Sequence, residues 1–316
     1  MQKKRLLHQF SSLLGFLLLG LSIAAIYHEL RQYSFQDVLN SLAALPTSQL
    51  FLAIGLTSLS YLGLATYDSL AFRYIGQSLA YTKSIFTGFI SAAATNTVGF
   101  AFLTGSAIRY RFYSAWGVSP IAIAQVIAFE NISFWLGLFT VSGSMFLLNP
   151  LTIPTQIKLP LFSSVRPLGI IFLLLVAAYV LGSIFSRQPL KIREHEFRFP
   201  SVQIALAQIV ISSLDWILTT AVLYVLLPST TPLSYLDFLG IYLLAMTGGV
   251  VSNVPGGLGI FESIILLLLA PKVPAAAVFG SLLAYRGVYY LLPLGVATGL
   301  MALYEIRERV KVRSRS

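Results

Sequence analysis

The stretch Val250–Leu269, VVSNVPGGLGIFESIILLLL, decides how this chain is built. Its ends are apolar enough for a bilayer, but its middle holds Asn253, Pro255, Gly256, Gly257, Gly259 and Glu262. Proline removes a backbone donor and glycine permits sharp turns, so the helix is predicted to break here. Backbone groups freed at membrane depth persist only when buried in protein or lining a wet cavity. A helix restarting near Leu258 would present free amides and the positive end of its dipole, a seat for an anion such as a phosphate. A kink for tight packing is the alternative, although one glycine would serve for that.

Working outward, 57% of the 316 residues are hydrophobic and 10% are charged, with a mean hydropathy of +0.82. A soluble domain carries roughly 25% charged residues, so the expectation is an all-α integral membrane protein. The net charge of +10 does not point to nucleic acid, because the cations cluster in short links between apolar runs, as the positive-inside rule requires. With no cysteine, disulfides and thiolate chemistry are excluded. His8, His28 and His195 lie far apart at or beyond span ends, so neither a metal site nor a cofactor is expected. The N-terminal MQKKRLLHQFSSLLGFLLLGLSIAAIY is read as a retained first span, with Lys3, Lys4 and Arg5 holding its start in the cytoplasm.

A spanning helix needs about 20 mostly apolar residues. Six segments qualify, near residues 8–27, 50–72, 119–147, 166–186, 202–227 and 275–304. Two more, 84–103 and 236–270, are interrupted, the first by TNTVG from Thr95. If both are re-entrant hairpins, sixteen of the 21 Lys and Arg fall on the cytoplasmic side. Arg31, Lys158, Arg166 and Lys272 then stay outside, and Arg286 lies within a span. The expected fold is therefore about six transmembrane helices plus two broken-helix hairpins in one membrane domain, residues 1–316, with both termini cytoplasmic.

Three spans and a hairpin per half make the halves, about 1–150 and 165–304, an inverted pseudo-repeat. TNTVG from Thr95 parallels SNVPG from Ser252, and AFENISFWLGL from Ala128 parallels AYRGVYYLLPL from Ala284. Paired Gly/Pro-interrupted segments in inverted halves point to a transporter's binding site. Residues 35–45 place Phe35, Val38, Leu39 and Leu42 at helical spacing, an interfacial helix. Residues 305–316 read as a basic cytoplasmic tail.

Ionisable groups inside a membrane are costly and default to function with a partner. Glu262, in the first turn of the restarted helix, has Arg286 as its candidate partner, with Tyr289 and Tyr290 one turn on. Glu130 sits mid-span, and Gln208, Ser212, Asp215 and Thr219 form one polar stripe, either helix glue or the lining of a path. Asn96 and Asn253 sit at the two breaks. Arg109 and Arg111 follow the first hairpin; guanidinium groups bind phosphate bidentately, and they also serve simply to set topology. The expected headgroup ligands are Arg109, Arg111, Arg286, Gly256 and Gly257. Glu130, Asp215 and Glu262 would balance charge, and Asn96, Gln208, Ser212, Thr219, Asn253 and Tyr289 would line the cavity.

RYRFYSAWG, VPGGLGIFE and YRGVYYLLPL, in this order and separation, resemble the membrane domain of lysylphosphatidylglycerol synthase/flippase proteins. The resemblance covers nearly the whole chain, and Arg109, Arg111, Glu262 and Arg286 fall on its motif positions. It implies a lipid flippase part that moves aminoacylated phosphatidylglycerol outward, also found as stand-alone membrane proteins. The family's soluble aminoacyl-transfer domain has no counterpart in these residues, so synthase activity is not expected. Members often carry His before the Pro-Gly-Gly turn where Asn253 stands, which weakens a proton-relay role there. The function expected is phospholipid translocation at the cytoplasmic membrane, with phospholipids as partners and a separate lipid-modifying synthase as a further one. The alternatives are a small-solute or ion secondary transporter, or an intramembrane lipid-modifying enzyme using Glu130 and Asp215 for acid–base work.

Overall fold

The computed structural model describes residues 35–98, 101–151, 164–185, 190–192, 195–197, 199–229, 233–251 and 259–313. The expected first span, residues 8–27, and the break containing Asn253, Gly256 and Gly257 lie outside the described residues.

Apolar runs bounded by proline, glycine and serine fold as helices throughout. In chain order these are α1 (Phe35–Ala43), α2 (Thr47–Tyr74), α3 (Tyr81–Val98), α4 (Ala101–Ala115), α5 (Pro120–Leu148) and α6 (Arg166–Phe185). Then follow α7 (Val202–Leu226), α8 (Tyr235–Val251), α9 (Ile260–Leu269) and α10 (Ala275–Tyr285). A π-helical segment (Arg286–Leu291) joins α10 to α11 (Leu292–Arg313) without a break. Ser119 and Ser201 cap α5 and α7 by accepting from the amides of Ala122 and Ile204, and Pro120 occupies the first turn of α5, where its missing donor costs nothing.

Among the described residues five helices are long and apolar enough to cross a membrane: α2, α5, α6, α7 and the composite Ala275–Arg307. Even the shortest, α6 with 20 residues, reaches about 30 Å, the thickness of a hydrocarbon core. Leu174, Leu175, Leu181, Ile184 and Phe185 stand exposed on α6, as hydrocarbon solvent permits. The fold is that of an all-α membrane protein. The one departure among the described residues is a two-stranded antiparallel ladder in the basic link, β1 (Leu190–Ile192) with β2 (His195–Phe197).

Helices associate in lipid through small residues that let backbones approach. Gly88 on α3 faces the Ala65 backbone of α2, Gly137 on α5 faces Ser212 of α7, and Gly143 and Gly169 face each other across α5 and α6. α2 and α7 pack together along their length at the centre. α4 folds back on α3, so that Gly105 meets Thr95 and Ser91. α9 packs on α8, and α1 packs against α10 and the π segment with Leu42 turned into the core. The start of α8 is tied to the end of α5 by Asn149 Nδ2 donating to Asp237 Oδ1 at 2.6 Å. Hydrogen bonds from Ser234 and from Asn149 hold the Asp237 carboxyl below its ordinary range.

One expectation changes here. The tail expected from residue 305 begins as an unbroken continuation of α11 through Arg313, and Glu305 is buried. Tyr113 is likewise fully buried. Both follow from α4 lying inside the bundle, where an aromatic cluster of Phe86, Phe112, Trp116 and Tyr304 joins α3, α4 and α11.

A Cβ at residue 137 would sit 2.6–2.7 Å from Ser212 backbone and Cβ atoms, whereas one at Gly63 meets nothing within 4 Å. Gly137→Ala is expected to destabilise the detergent-solubilised protein by about 1–3 kcal/mol. Gly63→Ala should leave the thermal unfolding midpoint unchanged or slightly raised.

Candidate functional site

Buried guanidinium groups and carboxylates organise the interior. Gly259, whose φ of +80° favours glycine, precedes α9, which starts at Ile260. Glu262 in its first turn accepts from the Gly259 amide at 2.8 Å, a carboxylate satisfying an orphan donor at the positive end of a helix. Its other oxygen takes Arg286 Nε at 3.1 Å and Arg286 Nη2. Both side chains are buried. The restarted helix is thus locked to the π segment by a fork-shaped ion pair. Arg286 also lies over the Tyr290 ring, 4.7 Å from its centroid.

A second cluster is built beneath the first hairpin. Arg109 Nε donates to Asp68 Oδ1 at 2.9 Å, and its Nη2 lies 3.0 Å from Glu130 Oε2. Tyr113 donates to Asp68 Oδ2. Asp68 comes from α2, Arg109 and Tyr113 from α4, and Glu130 from α5. Two carboxylates therefore share one guanidinium, and Glu130 Oε1 has no hydrogen-bond partner.

Alongside runs a row of buried hydroxyls without partners: Thr87, Ser91 and Thr95 on α3 and Ser106 on α4. A Cβ at Gly105 would lie 3.2 Å from Arg109 Nη1 and closer still to Thr95 Oγ1, so this seam adjoins the guanidinium. Buried polar groups are ordinarily hydrogen-bonded, and three orphans on one face of α3 are unusual.

Arg111 points elsewhere, with Nη2 donating to Glu305 Oε1 at 2.8 Å and Nε unpartnered. At the centre, Asp215 Oδ1 accepts from Ser60 Oγ at 2.5 Å. Ser60, Thr219 and Tyr289 are linked to one another, the last two at 2.8 Å. Asn96 Nδ2 donates to Tyr61 Oη at 3.3 Å, which in turn donates to the Tyr289 carbonyl at 3.0 Å.

Among the residues expected to line a path, Gln208 and Ser212 are glue instead. Gln208 bonds Ser133 at 2.8 Å, Tyr179 at 2.6 Å and the Phe129 carbonyl, joining α5, α6 and α7. Ser212 bonds its own helix and packs on Gly137. The three expected arginines are each neutralised by a carboxylate. Sequence analysis left Asp68, Tyr113, Glu305, Ser60 and the α3 hydroxyls out of the site. The hydroxyls had a signal, the 3-4-4 spacing of Ser84, Thr87, Ser91 and Thr95, which puts them on one helix face.

Comparison with known proteins gives a consistent picture. Residues 11–297 match the family described as the lysylphosphatidylglycerol synthase TM region. The chain is 46% identical over 300 residues to uncharacterized protein slr0712 of Synechocystis sp., covering 95% of this chain and 93% of that one. It is 30% identical over 266 residues to inner membrane protein YbhN of Escherichia coli, covering 84% and 82%. It is 26% identical over 306 residues to phosphatidylglycerol lysyltransferase of Staphylococcus xylosus, covering 94% of this chain and 34% of that protein.

Breaking one side of a buried ion pair leaves an uncompensated charge and costs about 3–5 kcal/mol. Glu262→Gln and Arg286→Gln are each expected to lower thermal stability in detergent by that order. The double variant should cost clearly less than the two added together, which a double-mutant cycle measures.

Proposed function

The chain belongs to the lysylphosphatidylglycerol synthase TM region family, and from that membership and the buried ionic sites we propose that it translocates phospholipid across the cell membrane. The observation that carries this reading is Arg109. It is held by two carboxylates where one would neutralise it, and it adjoins a seam of hydroxyls that lack partners. A phosphate entering there replaces Glu130 on the guanidinium and accepts from Ser91, Thr95 and Ser106. The desolvation of the cation is already met by the fold, so the exchange costs the dehydration of the phosphate and the release of Glu130, whose freed charge a basic headgroup or a proton balances.

Arg286 is the second phosphate seat, opened when Glu262 releases one oxygen. Arg111 holds α4 to α11 and receives the headgroup at the rim. Glu130 and Asp215, freed or unpaired, face a basic headgroup. The acyl tails stay in lipid while the headgroup passes between the halves.

Alternating access needs two halves that rock about a shared site. The packing supports inverted halves: exchanging α2 with α7, α3 with α8, and α5 with α10–α11 maps the contact of α3 with α11 onto that of α5 with α8. In this arrangement the hairpins are re-entrant and both termini are cytoplasmic, in accord with the cation bias of the sequence.

Reconstitution tests the reading. With labelled phosphatidylglycerol or its lysyl ester in one leaflet, the protein is expected to speed leaflet exchange at least tenfold over empty vesicles. Arg109→Lys keeps the charge but loses the fork, and should slow exchange roughly tenfold, about 1.4 kcal/mol of barrier. Exchange no faster than in empty vesicles for both lipids, with circular dichroism showing folded protein, overturns it.

A further inference from the structure

Every interior carboxylate described above except one has an arginine: Asp68 and Glu130 share Arg109, Glu262 has Arg286 and Glu305 has Arg111. Asp215, in the middle of the central helix α7, has no cation within ion-pair distance among the described residues. Its partners are hydroxyls. Ser60 of α2 bonds its Oδ1 at 2.5 Å, and behind Ser60 stand Tyr289 at 3.2 Å and Thr219 at 3.4 Å.

Each of these hydroxyls can donate or accept. With Asp215 ionised, Ser60 donates to it and takes a proton bond from Tyr289 or Thr219. With Asp215 protonated, the carboxylic acid donates to Ser60 and the chain reverses by rotation of O–H bonds alone. Both charge states of this part-buried carboxylate are therefore hydrogen-bonded without moving a heavy atom. A metal ion needs several oxygens facing one point, whereas these face one another.

The titratable groups around Asp215 keep it the one that changes charge. Tyr61 and Tyr67 approach from α2, Tyr242 from α8 and Tyr289 from the π segment. Tyr285 of α10 is hydrogen-bonded to Tyr242, and from α5 the nearest acid, Glu130, lies beyond Tyr67. On α6, Tyr179 is turned to Gln208.

The network also touches both hairpins. The Tyr289 and Tyr290 carbonyls accept from Tyr61 and from Thr97 of the first hairpin, and Arg286 of the same π segment holds the second hairpin. We propose that Asp215 is the proton-carrying group of the transport cycle, taking a proton from water on one side and returning it to water on the other, so that lipid movement is coupled to proton movement. Only its O–H bond forms and breaks. This deepens the translocation reading and rests on it.

Two measurements separate the claims. Infrared difference spectra of the full chain across pH should show a carboxylic-acid carbonyl band that Asp215→Asn abolishes. Ser60→Ala removes the donor that favours the anion, so it should shift the band's midpoint to higher pH. A band unchanged in Asp215→Asn, or one that follows sodium at fixed pH, overturns the proton site. In vesicles with an entrapped pH-sensitive dye, an imposed lipid asymmetry should drive proton movement in the native protein and not in Asp215→Asn. Lipid exchange without proton movement overturns the coupling and leaves translocation standing. The infrared band without any lipid exchange overturns translocation and leaves the proton site.

Discussion

A guanidinium group placed inside a membrane must bring its own counter-charge, and the rest of this structure depends on that constraint. The desolvation cost of each buried ion is several kcal/mol and is offset only by well-made hydrogen-bonded pairs. The three pairings join elements far apart in the chain: α2 with α4 and α5 through Arg109, α9 with the π segment through Arg286, and α4 with α11 through Arg111. They fix the helices relative to one another in a medium where apolar contact alone gives little preference for one arrangement.

The π segment is the joint between these pairings. Widening the helical turn at Arg286–Leu291 upsets the regular ladder of backbone bonds, and two of its carbonyls are taken up by Tyr61 and Thr97. Its side chains then serve three places: Arg286 the second hairpin, Tyr289 the hydroxyl cluster at Asp215, and Tyr290 the face beneath the Arg286 guanidinium. A regular helix would turn Arg286, Tyr289 and Tyr290 by its fixed 100° steps. The extra residue in the turn changes that spacing and lets one segment address both halves of the molecule.

The spans were legible because hydrocarbon imposes length and composition directly on the sequence. The Glu262–Arg286 pair was legible for a similar reason: few ionisable groups lie inside the later apolar runs, and the cost of leaving either alone names the other. Arg109 was found, but its two carboxylates were not assigned to it. Asp68 sits near a span end, where sequence allows a solvated position, and only the fold of α4 against α2 and α5 removes that option. Glu305 was hidden by its basic neighbours, because a charge run reads as solvated until one member is seen to turn inward. Gln208 and Asp215 share one stripe, yet one glues helices and the other meets hydroxyls. That difference lies in Ser133 and Tyr179 against Ser60, on three different helices, and no pattern within α7 carries it.

The surplus of acid over base in the interior gives the proposed transport its logic. With five interior carboxylates described and three buried arginines, full ionisation leaves two negative charges without a full partner, one at Glu130 and one at Asp215. An anionic phosphate arriving at Arg109 would add to that surplus unless a proton arrives or a basic headgroup accompanies it. A cation-bearing headgroup or a proton on Asp215 balances the interior in the same way, by supplying the missing positive charge. Through the field inside a low-dielectric protein, loading by an anionic lipid and loading by a proton each make the other less costly, whereas a cation-bearing headgroup and a proton compete for the same deficit.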